Sequence, residues 1–132
     1  MANTDPQVRI APYEGERDEF AALFELADDS PVAVAGYRDL GTLLVARDGT
    51  GIVGLALVVP GLEPCCAELK SLAVTPPRQG GGLGTLLVHS AIATATEHGA
   101  TKLEVSTASA DIGNLRFYQR VGFRMVRILM AS

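Results

Sequence analysis

The sequence predicts one α/β domain of the α+β kind over residues 1–132, a mixed central sheet of about six strands flanked by about four helices. Three observations carry that expectation. Two apolar segments, Thr42–Arg47 and Ile52–Val59, flank Asp48-Gly49-Thr50-Gly51, a turn made of residues that tolerate positive φ, and so read as a β-hairpin. A strand, a glycine-rich turn, a helix and a second strand follow between Glu68 and Thr107, an order that implies parallel pairing across the helix. The chain has 132 residues, 48% of them hydrophobic and 20% charged, the size and balance of a single globular core.

In chain order, Val8 to Tyr13 alternates weakly and ends near proline and glycine, which suits a first strand at a sheet edge. From Glu16 the apolar residues Phe20, Leu23, Phe24 and Ala27 recur at i, i+3, i+4 and i+7, the stripe of an amphipathic helix. Asp28-Asp29-Ser30-Pro31 stops it, and Val32–Tyr37 forms a short second helix before Asp39 and Gly41. After the hairpin and the turn Pro60-Gly61-Leu62-Glu63-Pro64, a central strand runs from Glu68 to Val74 and ends at Pro76-Pro77. Thr85–His98 forms the next helix, closed by Gly99, and Lys102–Thr107 the parallel strand. Asp111 caps a short helix, Ile112–Arg120, which ends at Gly122, and Phe123–Met130 forms the last strand.

Composition narrows the function. A net charge of −4 gives no general attraction to phosphate backbones, so no nucleic-acid partner is expected. No apolar run reaches bilayer length, so no membrane partner is expected, and the N-terminus lacks a basic flank and an apolar stretch, so the cytoplasm is the expected compartment. Cys65 and Cys66 are adjacent, which disfavours an unstrained disulfide and predicts two reduced thiols beside a turn. His89 and His98 are nine residues apart on one helix, beyond the i, i+4 spacing that aims two ligands together, and no metal is assigned.

The chemistry centres on Gln79-Gly80-Gly81-Gly82-Leu83-Gly84-Thr85, between a strand end and a helix start. Glycines remove the Cβ atoms that would hold a ligand off, so successive N–H groups can point into one concavity. The helix N-terminus adds unsatisfied donors and the positive end of its dipole, an arrangement that favours a diphosphate. The segment lacks the Gly-Lys-Ser/Thr ending of a P-loop, and Gly80-x-Gly82-x-x-Thr85 breaks the dinucleotide fingerprint. A plain flexible turn is the alternative, against the entropic cost of ordering three consecutive glycines.

Leu72-Ala73-Val74-x-Pro76-x-x-Gln79-Gly80-x-Gly82-Leu83-Gly84 resembles the acyl-coenzyme A signature of the GNAT superfamily of N-acetyltransferases, and Phe117-Tyr118-x-x-x-Gly122-Phe123 resembles its second motif. The resemblance implies a GNAT-like sheet and acetyl-CoA as acyl donor, with no metal. It implies cofactor contacts along Leu72, Ala73, Val74, Gln79, Gly80, Gly81, Gly82, Leu83, Gly84 and Thr85. It also implies pantetheine contacts near Ser109, Asn114 and Phe117, with Tyr118 donating a proton to the departing sulfur. Where the family usually has Asn ahead of the tyrosine, this chain has Asp111, with Asn114 following.

Glu68 stands where histone acetyltransferases of the superfamily carry a catalytic glutamate, which makes it a candidate general base. An exposed carboxylate, a partner for Lys70 and an ordered water in its place stay open. The implied reaction is direct acetyl transfer to a primary amine of a small molecule or peptide, the Val74 N–H polarising the thioester carbonyl. Neither cysteine has a Cys/His setting that would supply a covalent nucleophile. The family usually ends in two strands where this chain has one, a shortened C-terminus whose open edge predicts a homodimer. The competing readings are a catalytically reduced acyl-CoA-binding sensor or subunit and, less favoured, a nucleotide-binding regulator.

Overall fold

The computed structural model describes residues 8–105, apart from Asp29, Leu62 and Pro64, together with the backbone of strand 125–128. Six strands form one sheet in sequence order: β1 Arg9–Pro12, β2 Thr42–Asp48, β3 Gly51–Pro60, β4 Cys66–Val74, β5 Lys102–Val105 and β6 Met125–Ile128. The pairs from β1 to β4 are antiparallel, and β4–β5 and β5–β6 are parallel, so the sheet is mixed, with β1 at one edge as its sequence suggests. The helices are α1 Ala21–Ala27, α2 Pro31–Tyr37 and α3 Leu83–Glu97, with single 3₁₀ turns at Asp18–Phe20 and Pro76–Arg78.

Local chemistry accounts for most boundaries. Ser30 caps α2 by accepting from the Ala33 amide at 3.2 Å, and Pro31 takes the first helical position, where no N–H is needed. The predicted helix from Glu16 begins instead as the 3₁₀ turn at Asp18, whose cap residue Arg17 offers no side-chain acceptor. α3 starts at Leu83, two residues earlier than the sequence suggests, because Gly82 takes the left-handed conformation and serves as N-cap. β4 likewise begins at Cys66, where its pairing with Pro60–Val59 and with Lys102–Glu104 starts. The expected helix 112–120, Asp111 and Gly122 lie outside the described residues.

The sheet is covered on both faces. Leu43, Val45, Leu55 and Leu57 pack against Phe20, Phe24 and Tyr37 from α1, α2 and the turn before them. On the other face Leu44, Ala56, Val58 and Leu69 pack against Leu87 and Val88 of α3. Phe24 is fully buried, so truncating it to alanine costs about 3–5 kcal/mol.

One irregularity positions the site. Leu57 pairs with Ser71 but Val58 with Leu69, so Lys70 is an extra residue in β4. Above the bulge Leu72 and Val74 face α3, whereas below it Ala67 and Leu69 do. The bulge therefore turns Glu68 to the α1/α2 face, beside Val59, its partner on β3.

Candidate functional site

The chain leaves β4 at Val74, makes the turn Pro76–Arg78 and enters α3 through Gly80–Gly82. Gly80 and Gly82 hold φ of 84° and 92°, a region that side-chain-bearing residues adopt only with strain. A Cβ at either position would meet no protein atom within 4 Å, so both faces are open to a ligand. The amides divide into two sets. Gln79 N–H donates to Pro76 O at 3.2 Å and Gly81 N–H to Arg78 O at 3.3 Å, which closes the turn. The first amide engaged in α3 is that of Leu86, donating to Gly82 O at 3.2 Å. The amides of Gly80, Gly82, Leu83, Gly84 and Thr85 donate to no acceptor among the described residues. They sit at the positive end of the α3 dipole.

A cavity of about 360 Å³ opens there, lined by Val74, Arg78, Gln79, Gly80, Gly82 and Thr85 with Gly84. The Gln79 side chain donates from Nε2 to Val74 O at 3.0 Å and so ties the turn to the strand end. Thr75 N–H donates to Val53 O at 2.9 Å. Alternation along an antiparallel ladder then makes Gly54–Val74 and Ala56–Leu72 non-hydrogen-bonded pairs. The N–H and C=O groups of Leu72 and Val74 consequently point away from β3, along the side of β4 next to the glycine turn. Those of Ala73 are spent on β3.

Among the described residues, Arg78 brings the one cationic side chain to this cavity. Its Nη1 lies 3.6 Å from Asp48 Oδ2 on the β2–β3 hairpin. The Asp48 carboxyl is held below the usual carboxylate range, first by the Thr50 hydroxyl and then by the Thr50 amide and Arg78. Sequence reading missed Arg78, although it directly precedes Gln79.

A second cavity, about 590 Å³, lies on the α1/α2 face of β4. Glu68 and Lys70 form one wall, Oε2 to Nζ 3.8 Å, with side chains 16% and 31% exposed. Tyr37, Leu40 and Val59 form the apolar remainder. The Lys70 Nζ stands 5.3 Å from the Tyr37 ring centroid, a cation–π contact. Tyr37 donates its hydroxyl to Asp28 Oδ2 at 3.0 Å, and burial, followed by that carboxylate, holds its pKa far above the ordinary tyrosine value. Arg17 fixes the loop after α2 by donating to the carbonyls of Arg38, Leu40 and Gly41 at 2.8, 2.7 and 3.1 Å. Glu104, 8% exposed, is the register partner of Glu68 on β5. The sequence singled out Glu68 but gave no sign of Tyr37, which only the return of α2 onto β4 brings near it.

This arrangement matches known proteins. Residues 7–123 fit the model of the Acetyltransferase (GNAT) family. An uncharacterized N-acetyltransferase of Bacillus subtilis is 33% identical over 92% of this chain and 78% of its own length. The chain belongs to the GNAT acetyltransferase family. Among solved structures, a Bacillus subtilis acetyltransferase in complex with CoA superposes with a TM-score of 0.79 at 33% identity, covering 89% of this chain and 77% of that one. A GNAT acetyltransferase from Elizabethkingia anophelis with acetyl-CoA bound gives 0.80 at 28% identity, covering 90% and 77%. Some family members are larger: the chain spans 52% of an uncharacterized N-acetyltransferase of Schizosaccharomyces pombe. This GNAT protein is an acetyl-CoA-dependent acyltransferase, and no helix among its described residues is long and apolar enough to cross a membrane.

Of the residues read from the GNAT motifs, Leu72, Ala73, Val74 and Gln79 to Thr85 gather around the first cavity and the adjoining strand, and Glu68 opens into the second. Ser109, Asn114, Phe117 and Tyr118 lie outside the described residues. Apart from both cavities, Glu63, Cys65 and Cys66 bring a carboxylate and two free thiols within 4.8 Å of one another. Burial first, then Cys65 and Glu63, pushes the Cys66 thiol up, so it stays protonated at neutral pH.

Proposed function

We propose that this chain, acting as one domain over residues 1–132, transfers the acetyl group of acetyl-CoA directly to a primary amine of a small molecule or peptide. The observation that carries this reading is the set of undonated amides at Gly80 and Gly82 to Thr85 beside the outward-facing backbone of Leu72 and Val74. The amides of Gly80, Gly82, Leu83, Gly84 and Thr85 receive the diphosphate, with Arg78 supplying charge. Gln79 holds the turn against Val74. Leu72 and Val74 offer main-chain groups to the amides of the pantetheine arm. Gly81 shapes the turn, its own amide being engaged.

The acceptor enters from the α1/α2 face. Glu68 takes a proton from its ammonium, the neutral nitrogen attacks the carbonyl carbon, and the C–S bond breaks as the nitrogen, now bonded to the acetyl carbon, gives up its second proton to solvent. Tyr118 protonates the departing thiolate, while Ser109, Asn114 and Phe117 line the pantetheine arm. These four roles come from the motif resemblance. Among the described residues β6 is an edge of the sheet, and a second copy adding there gives a homodimer, which a monomeric mass in sedimentation at micromolar concentration would exclude.

The test is thiol release with acetyl-CoA and an amine panel. Glu68→Gln lowers kcat about 10²–10⁴-fold with the acetyl-CoA Kd unchanged. Tyr118→Phe slows release of the thiol. A Glu68→Gln enzyme as fast as the parent hands the base to water, and acetyl-CoA binding with no turnover on any amine removes the enzymatic reading.

A further inference from the structure

We infer that the amine acceptor is a zwitterion, a free α-amino acid with an apolar side chain, held with its ammonium on Glu68 and its carboxylate on Lys70. The inference rests on the proposed acetyl transfer and names the substrate of that site. Its ground is the charge pattern of the larger cavity. Among the described residues lining it, one acid and one base stand 3.8 Å apart, and the other walls are Tyr37, Leu40, Val59, Pro60 and glycine backbone. A ligand with one charge of each sign exchanges that partly solvated contact for two charge-assisted ones, its ammonium on Glu68 and its carboxylate on Lys70. A polycation satisfies Glu68 but sets its second positive charge against Lys70. A simple alkylamine satisfies Glu68 and brings no anion to Lys70.

The two charges have separate supports, so the pair can open without losing its geometry. Lys70 is the bulge residue of β4, and besides facing Glu68 its Nζ lies over the Tyr37 ring. Tyr37 is in turn held through its hydroxyl by Asp28. Glu68 has the carboxyl-bearing Glu104 as its register neighbour on the same face, so the acidic residues stand together at the ammonium end. The ammonium end thus falls beside the base that must deprotonate it, and the carboxylate is turned toward α2. The apolar side chain meets Leu40, which is 53% exposed although large and hydrophobic, with Val59 and the Tyr37 ring. At about 590 Å³ the cavity falls in the range of small-molecule sites and accepts a branched or aromatic side chain.

The experiment measures CoA release by the full chain at saturating acetyl-CoA, with L-leucine, L-methionine and L-phenylalanine against leucinamide, isoamylamine and spermidine. The free amino acids are expected to exceed leucinamide and spermidine in kcat/KM by about 10- to 100-fold, the worth of one hydrogen-bonded charge contact. Lys70→Met erases the preference for leucine over leucinamide, and Lys70→Arg restores it. The panel on the unaltered chain decides the matter even where a variant folds poorly. Turnover that favours leucinamide, isoamylamine or spermidine overturns this inference and leaves the acetyl transfer standing. Acetyl-CoA binding by calorimetry without turnover of any amine overturns both.

Discussion

Substituting Gly82 by alanine separates the stability of the glycine turn from its use. Gly82 sits at φ 92° and ψ −3°, and a Cβ there meets no protein atom within 4 Å, so the substitution brings backbone strain and no clash. The strain is about 1–2 kcal/mol. For a chain of 132 residues that lowers Tm by roughly 3–10 °C. The new methyl group also occupies the open side of the cavity, in the path of the proposed diphosphate, and relaxation of φ tilts the Gly82 and Leu83 amides. Misaligning one amide that donates to a charged group costs about 1.5–3 kcal/mol, so acetyl-CoA should bind about 10- to 100-fold more weakly. Calorimetric titration with acetyl-CoA beside a thermal melt reads both. Gly81→Ala is the control: its φ is not in the left-handed region, its Cβ would lie 3.5 Å from Arg78 O, and its amide already closes the turn. That variant should stay within about 0.5 kcal/mol of the parent. If Gly82→Ala melts early yet binds acetyl-CoA as tightly as the parent, the undonated amides do not hold the donor. An unchanged Tm refutes the strain calculation instead.

Three further outcomes follow from the geometry. Gly41→Ala should be among the most damaging single changes, because φ there is 60° and a Cβ would collide with the carbonyl oxygen of Val58 and lie 2.8 Å from Val59 Cγ1; loss of soluble folded protein by circular dichroism checks it. The pKa of Tyr37 is raised by burial and Asp28, so the folded state holds its proton more tightly than the unfolded chain does. Its stabilisation is complete below the ordinary value of 10.0 and is lost as pH rises beyond it, so Tyr37→Phe should flatten the fall of denaturant midpoint in that alkaline window at a cost of about 0.5–1.5 kcal/mol near neutrality. Cys65 is exposed and Cys66 buried with its thiol pushed up, so iodoacetamide at neutral pH should label Cys65 first, and equal labelling by mass spectrometry would contradict the burial of Cys66.

Much of this protein is legible along the chain because its signals are local. The hairpin around Asp48–Gly51 follows from alternation and turn chemistry, the end of α3 from Gly99, and the parallel step from β4 to β5 from a helix placed between two strands. The glycine run marks a place where backbone can approach a ligand closely, and its position ahead of a helix is the pattern that favours an anion. Tertiary structure decided what depends on residues far apart in sequence. Plain alternation would put Glu68 on the same face as Leu72 and Val74; the bulge at Lys70, visible only in the register against β3, sends it to the opposite face. The division of the amides between turn closure and open donors depends on the carbonyls of Pro76 and Arg78 folding back, which composition does not record. Tyr37 meets Lys70 only because α2 returns onto β4, and Asp48 reaches Arg78 only because the hairpin turn lies beside the turn after β4. Local propensity thus chose the elements and marked the glycine turn, while pairing register and packing chose which charges face each other across the larger cavity.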